Sequence, residues 1–325
     1  MQKLKKVRKR LLILILILAA FIFLNNSSLL AKPNKEEPLL LAHRGLAQTF
    51  PMEGIEWDTC TAERIFEPAH PYLENTIPSM EAAFKAGADV VELDIHPTID
   101  GEWAVFHDWT LECRTNGEGV TREHTMGELK QLDIGYGYSA DNGKSFPFRG
   151  KGIGLMPTLT EVLERFPEEA FLLHIKSNDQ EEGRLLADYL SELPKERLQL
   201  LSVYGGNEPI ASLAEKLPHV RVMSMDTLKS CLIPYELIGW TGYVPDSCKE
   251  TQVHIPEKYA KILWGWPNKF LSRMEEVNTR VILVAGDGGW SEGFDSETDL
   301  ERLPSHYSGG IWTNRIDRVA PILQE

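Results

Sequence analysis

Cysteine is scarce: there are four in 325 residues, with no C-x-x-C pair and no Cys/His cluster, which excludes the thiolate-rich zinc sites. Basic charge is scarce too, once the N-terminus is set aside. Six of the 34 Lys and Arg lie in the first ten residues, leaving 28 to face 48 Asp and Glu. So acidic a body lacks the positive surface that nucleic-acid binding needs, and no nucleic-acid partner is expected. Low-complexity tracts are absent. So is a phosphate cradle: GYGYSADNGKSFPFRGK at 135–151 has the glycines but no helix after it, and it reads as a surface loop. Only one long apolar run occurs, LLILILILAAFIFL at 11–24, after the basic MQKLKKVRKR. It is short of the ~20 residues of a spanning helix and suits a signal-peptide core, although residues 25–31 could extend it into an uncleaved anchor. Residues 1–32 are therefore expected to be a signal peptide or membrane anchor outside the fold. Residues 33–325 would be exported, periplasmic or extracellular, and membrane proximity is one consequence. In an oxidising compartment the four cysteines can pair. Of three possible pairings, Cys60–Cys113 with Cys231–Cys248 is favoured. The first would pin an inserted segment beside His107, and the second would close a short Pro- and Gly-rich loop.

What is present centres on ADVVELDIHPTIDGEWAVFHD, residues 88–108. It reads as an apolar strand, a Pro/Asp/Gly turn and a second extended run ending in His107-Asp108. Alternation along a strand puts Glu92, Asp94 and His96 on one face and Val91, Leu93 and Ile95 on the other. Carboxylates two residues apart stand roughly 7 Å apart, close enough for both to reach one hard cation. With an imidazole at the end of the next run, the pattern suits metal-assisted acid/base chemistry. His96 precedes Pro97 and reads as structural.

Strand and helix patterns alternate along the rest of the chain. Strands are expected at 38–42, 90–95, 171–175, 199–203, 221–225, 252–255, 280–285 and 310–313. Helices are expected at 77–86, 157–166 with Thr158 or Thr160 as cap, 181–193, 209–217, 227–237, 257–277 with a break at Pro267, and 316–323. Eight strands each followed by a helix imply a parallel sheet. The fold class is α/β, a (β/α)8 TIM barrel, with a long insertion at 46–73 after the first strand. Catalytic groups of such barrels lie at the C-terminal ends of strands, and His43-Arg44, Glu92/Asp94 and His174/Lys176 all fall there.

These motifs together resemble the glycerophosphodiester phosphodiesterase family: HRG at 43–45, ENT at 74–76, the 87–108 run, RTNGEG at 114–119, PTLTEVL at 157–163, LLHIK at 172–176 and GGIWTNR at 309–315. The resemblance is dense from 39 to 176 and thin afterwards. It implies hydrolysis of small glycerophosphodiesters to glycerol 3-phosphate and an alcohol, with one divalent cation, Ca²⁺ or Mg²⁺. By the same resemblance Glu92 and Asp94 are metal ligands, Glu74 supports them, and His43 and His107 are the acid/base pair. Arg44 would hold the phosphodiester and Lys176 would assist it.

Three departures stand out. The position of the family's third ligand, usually Glu, is His174, whose imidazole favours softer metals. The HRG-to-ENT connection is unusually long, carries Cys60, and is expected to reshape the pocket mouth. VILVAGDGGW stands where the family has a Trp-containing motif, with Trp290 displaced, while Trp264 and Trp266 read as packing residues. Two rivals remain at this level. One is a lysophospholipase-D-like or sphingomyelinase-D-like enzyme acting on acylated diesters, hinted at by Ile55, Trp57, Ile65 and Phe66 in the insertion. The other is a barrel that binds without turning over.

Overall fold

Eight parallel strands wind about one axis in the computed structural model, which describes residues 2–31, 37–56, 59–289 and 292–323. The strands are β1 (Leu40–His43), β2 (Val90–Pro97), β3 (Trp103–Val105), β4 (Ala170–Ile175), β5 (Leu201–Gly205), β6 (Arg221–Met223), β7 (Gln252–Pro256), β8 (Arg280–Val284) and β9 (Gly310–Thr313). Their order is β6-β5-β4-β2-β1-β9-β8-β7, with β3 antiparallel against β2. The barrel is nearly closed. Among the described residues no ladder joins β6 to β7, so a seam runs between them. All eight strands expected from the alternation are found, and β3 is the second extended run of the central segment.

Side chains alternate as the strand period demands. Leu41, Val90, Leu172, Ile282 and Trp312 fill the barrel, while Ala42, Val91, Leu93, Phe171, Leu173 and Ile311 pack outward against the helices. Register then sets the functional positions in rows. His43 pairs with Glu92, Asp94 with His174, and His174 with Tyr204.

Local signals explain where helices begin. Thr76 caps Ile77–Lys85 in a reciprocal arrangement with Ser79, and Thr158, rather than Thr160, caps Leu159–Arg165 with Glu161 answering. The helical stretch expected at 257–277 with a break at Pro267 is found as Glu257–Ala260 and Asn268–Glu276, with Pro267 immediately before the second helix.

Two differences from the sequence reading concern the connections. The stretches after β1 and β3 fold against each other around their own apolar cluster, which includes Ile65, Leu73, Phe106, Leu111, Tyr138 and Phe148. Residues 135–151 are therefore not simply a surface loop. Their buried side chains are too widely spaced to show a period, and only the partner stretch gives them something to pack on. Cys60–Cys113 ties the two together, and Cys231–Cys248 is formed as well.

The second difference is at the N-terminus. The helix Gln2–Asn26 is not separate from the barrel at its C-terminal end. Asn25 and Asn26 Nδ2 donate to the Trp240 carbonyl at 3.0 and 2.8 Å, and Arg273 Nη2 donates to the Asn25 carbonyl at 2.9 Å. A helix end leaves carbonyls unpaired, and the Arg273 guanidinium answers one of them. No helix among the described residues is long and apolar enough to cross a membrane. The expectations about Trp57 and Trp290 lie outside the described residues. Trp264 and Trp266 pack against the core as expected.

Loop closure makes the disulfides substantial. They span 53 and 17 residues, and chain-entropy bookkeeping assigns about 4 and 3 kcal/mol respectively. Replacing Cys231 and Cys248 together by Ala is expected to lower unfolding free energy by about 3 kcal/mol, read as a lower urea midpoint with a slope that is unchanged or slightly steeper, because the unfolded chain is no longer tethered.

Candidate active site

The HRG and ENT motifs are made into one unit by their backbones. Arg44 leaves β1 with φ 57° and Asn75 has φ 58°, both left-handed. The Asn75 N–H donates to the Arg44 carbonyl at 3.0 Å. Asparagine tolerates this region, whereas arginine is uncommon there. Gly45 follows at φ 79°, and a Cβ on it would lie 2.6 Å from Ser79 Oγ and 2.9 Å from the Ser79 carbonyl carbon. Only glycine lets β1 approach the first turn of Ile77–Lys85 this closely.

Glu92 and Asp94 then lie side by side in the barrel mouth, 0% and 1% exposed. Such a pair needs compensation, and several elements supply it. Arg44 Nε stands 3.3 Å and Lys176 Nζ 3.1 Å from Asp94. Asn75 Nδ2 donates to Asp94 Oδ2 at 2.9 Å, and Asn75 Oδ1 accepts the Asp94 backbone N–H at 3.0 Å. Tyr204 donates its hydroxyl to Glu92 Oε1 at 2.7 Å and stacks on the His174 ring, centroids 4.1 Å apart. His174 Nδ1 lies 2.9 Å from Asp94 Oδ1 and 3.9 Å from Glu92 Oε1.

The charges divide unequally. Burial, reinforced by the Asp94 charge, pushes the Glu92 carboxyl up to about 8. Asp94 is held well below the ordinary carboxyl range: burial opposes this, but Lys176, His107, Arg44 and the His174 bond outweigh it. Glu74 is not part of this cluster. Its carboxylate bridges Arg44 Nη1 at 3.0 Å and Arg114 Nε at 3.2 Å, so its support of the site passes through Arg44.

Both candidate histidines have their Nδ1 engaged away from the cluster. His43 Nδ1 lies 2.6 Å from Asn314 Oδ1, and Asn314 Nδ2 donates to Asp295 at 2.9 Å. That second bond sets the amide orientation, so Asn314 must accept and His43 Nδ1 must carry the hydrogen. His107 Nδ1 lies 2.7 Å from Asp108, whose other partner is Arg114 Nη1 at 2.6 Å. A carboxylate can only accept, so Nδ1–H donates here as well. Burial first, then the Arg44 and Lys176 cations, lowers His107 to about 3; burial and Arg44 lower His43 well below its usual range. His96 is fully buried beside Trp109, ring centroids 6.0 Å apart, and lies outside the cluster.

Glu92, Asp94 and His174 together offer ligand atoms within 4.8 Å of one another. The donor set fits a divalent cation: two buried carboxyl groups, which ligate once deprotonated, and an imidazole whose Nδ1 lies near both. Beside it opens a cavity of ≈ 530 Å³ that contains His43 and Arg44 and is walled by Phe50, Met52 and Phe66 of the insertion. The long connection does shape the mouth. Ile65, by contrast, lies in the apolar cluster shared by the stretches after β1 and β3.

A profile described as the glycerophosphoryl diester phosphodiesterase family matches residues 43–212, just over half of the chain. The chain belongs to this family. A Bacillus subtilis protein named glycerophosphodiester phosphodiesterase is 40% identical over 114 residues, which is 34% of this chain and 38% of that protein. The match covers 38–47% of the length of three such curated relatives. Two solved structures share the barrel. One is a glycerophosphoryl diester phosphodiesterase domain from Mycobacterium tuberculosis, with TM-score 0.63 at 16% identity, covering 89% of this chain and 99% of that one. The other is an Oleispira antarctica phosphodiesterase in complex with the product sn-glycerol-3-phosphate, with TM-score 0.55 at 18% identity, covering 89% and 98%.

Sequence reasoning singled out Glu92, Asp94, His174, Arg44, Lys176 and the two histidines, but not the groups that hold them. Asn75, Asp108 and Asn314 sit inside the quoted motifs without an assigned role, and a motif's polar residue next to a catalytic candidate is a usable signal. Tyr204 gave none. It is a lone aromatic at the end of a strand, and only the β4–β5 register reveals it.

Two outcomes follow from this geometry. Asp108→Asn can present its amide to His107 Nδ1 and favour the wrong tautomer, so kcat is expected to fall about 10²–10⁴-fold with little change in KM. Glu92 binds its proton more tightly folded than unfolded, where its pKa is about 4.3. Its stabilising contribution is complete below that value and is lost as pH rises towards about 8. Urea midpoints of metal-free protein should therefore decline across that window, and Glu92→Gln should flatten the decline.

Proposed function

We propose that this protein hydrolyses glycerophosphodiesters to glycerol 3-phosphate and an alcohol. The observation that carries the reading is the pair of imidazoles, each with Nδ1–H tied to an outward partner, beside a buried carboxylate cluster flanked by Arg44 and Lys176. Glu92, Asp94 and His174 would hold a divalent cation, which when bound neutralises charge on the phosphoryl oxygens. Arg44 and Lys176 contribute the same neutralisation from fixed positions, and their preorganised charges serve the charge that builds up on the phosphoryl group.

With Nδ1 engaged, each imidazole keeps its Nε2 lone pair for proton transfer. His43 is backed by a neutral amide and suits the base that takes the proton of the attacking hydroxyl. His107 is backed by the Asp108 carboxylate, which favours its imidazolium form and suits it to deliver a proton to the leaving alcohol. The attacker is the substrate's own neighbouring glycerol hydroxyl: its P–O bond forms as the alcohol's P–O bond breaks, and water then opens the cyclic phosphate. Glu74 and Arg114 position Arg44 and Asp108 respectively. The anionic diester offsets the Arg44 and Lys176 charges that depress His107 in the free protein, so binding makes the proton donor available.

Resident domains and location belong to the same proposal. Residues 33–325 form the catalytic barrel, and the two disulfides fit an oxidising compartment outside the cytoplasm.

Incubation with glycerophosphocholine should yield glycerol 3-phosphate in a chelator-sensitive manner. His43→Ala and His107→Ala should each cost about 10²–10⁴-fold in rate; undiminished turnover in both would sink the assignment. Metal binding gives a readout independent of turnover. By calorimetry, Tyr204→Phe should weaken Mn²⁺ or Mg²⁺ binding about 10–100-fold, and His174→Glu should shift preference towards Mg²⁺ and Ca²⁺.

A further inference from the structure

At the end of the barrel opposite the charged cluster, two arginines stand together without an acid. Arg221 opens β6 and Arg280 opens β8, and in a parallel sheet both starts lie at the N-terminal end. Strand alternation settles the face of Arg280, because Ile282 and Val284, two and four residues on, fill the barrel interior. Both arginines are half-buried and line one cavity of ≈ 220 Å³, with Asn278, Thr279 and Ser308 beside them. Among the described residues the hydrogen-bond partners of both guanidiniums are neutral. Arg221 donates Nη2 to Asn278 Oδ1 and Nε to the Asn278 carbonyl. Arg280 Nη1 has Ser202 Oγ and Gln252 Oε1, each at 3.5 Å, longer than the roughly 2.7–3.2 Å of a well-formed bond. Burial, with the Arg221 charge adding to it and Asp89 opposing, lowers Arg280 to about 10. Glu275 is the carboxylate on the cavity wall, and it is exposed and pairs with neither arginine.

Two like charges in one half-buried cavity repel each other, and burial removes water that would screen them. The chain has 48 acidic residues against 34 basic ones, so acids to pair with arginines are plentiful. Arg44, Arg114, Arg122, Arg302 and Arg315 each have one. An anion is the charge complementary to Arg221 and Arg280. A guanidinium presents its N–H groups in a planar fork that matches the oxygens of a phosphate, and here two forks come from different strands. Asn278 adds a neutral donor, since its Oδ1 accepts from Arg221 and its Nδ2 remains to donate. The cavity is smaller than the roughly 300–1,000 Å³ of sites for larger organic ligands, which suits a phosphate group carrying little else. We propose that Arg221 and Arg280 form an anion site at the N-terminal end of the barrel, which takes the dianion of phosphate or of a small phosphomonoester. This goes beyond the phosphodiesterase reading and does not depend on it. Occupancy also has a structural consequence. No ladder joins β6 to β7 among the described residues, and side chains bridge the seam at this end. Thr251 Oγ1 donates to the Val222 carbonyl at 2.6 Å, and Arg221 bonds Asn278 in the turn before β8. An anion held by both β6 and β8 adds a charged clip across the seam, and a ligand that binds only the folded barrel stabilises it.

The test is calorimetry of full-length, metal-free protein with inorganic phosphate and, separately, with glycerol 3-phosphate, at constant ionic strength. The unaltered chain is expected to bind phosphate, and Arg221→Gln to weaken that binding about 10–100-fold, as loss of a hydrogen bond from a charged donor implies. Arg44 offers phosphate a rival site at the other end of the barrel, so Arg44→Gln is measured alongside and should leave this affinity unchanged. No phosphate binding to the unaltered chain, equal binding by Arg221→Gln, or a loss confined to Arg44→Gln would each overturn the proposal. Thermal unfolding supplies a readout that needs no substitution. The midpoint should rise with added phosphate and not with chloride of equal ionic strength, and Arg221→Gln and Arg280→Gln should abolish the rise. A rise that chloride reproduces, or that both variants retain, counts against the site. Should Arg280→Gln fail to fold, Arg221→Gln decides alone, its Mn²⁺ binding at the distant cluster serving as the check that it is folded. Tighter binding of glycerol 3-phosphate than of phosphate assigns the site to a phosphomonoester, and the reverse assigns it to free phosphate; either ranking supports the anion site.

Discussion

Two carboxylates buried shoulder to shoulder in a barrel mouth impose the constraint from which the rest of this site follows. In low dielectric neither charge is tolerated without a nearby cation or donor. Arg44, Lys176, Asn75, Tyr204 and His174 all converge on Glu92 and Asp94, and they arrive from β4, β5 and the segment after β1. Each convergence fixes another piece of structure. Arg44 must adopt a left-handed backbone to reach across, Gly45 must then be glycine, and Glu74 must neutralise the rest of the guanidinium.

Outside this cluster the chain builds a cap. The stretches after β1 and β3 would each be a long irregular loop alone, and their mutual apolar cluster and the Cys60–Cys113 bridge give them an interior. The cap delivers Arg114, which holds both Asp108 and Glu74. His107 and Arg44 are therefore oriented through a single guanidinium that belongs to neither strand. On the opposite flank, the unladdered seam between β6 and β7 leaves an apolar trough where other staves of the barrel are sealed by hydrogen bonds. The mouth is thus polar and capped on one side, apolar and open on the other.

Most of the barrel and of the charged cluster was legible along the chain. Period-two apolar strands and period-3.6 helices are local signals, and they located all eight barrel strands. Glu92, Asp94 and His107 were legible because a strand's alternation puts the carboxylates on one face and a hairpin returns the histidine. The Gly-rich stretch at 135–151 was misread as surface because Tyr138 and Phe148 are isolated apolar residues whose partners are distant in sequence. Likewise the leader's end was expected to be free, whereas Asn25 and Asn26 bond to Trp240, 214–215 residues away.

The sequence by itself determined the elements, their alternation and the residue types available for chemistry, because propensity, capping and periodicity act over a few residues. Only the tertiary structure decided which neutral groups set the charges. Asn314 orients His43 across 271 residues, and Tyr204 reaches Glu92 across 112. Barrel register and closure create those meetings, and no local pattern encodes them. The open trough at the seam has the same origin: Leu228 and Leu232 of Met225–Ile238 pack on the core, and only the packing shows that Ile233 and Leu237 beside them stay uncovered.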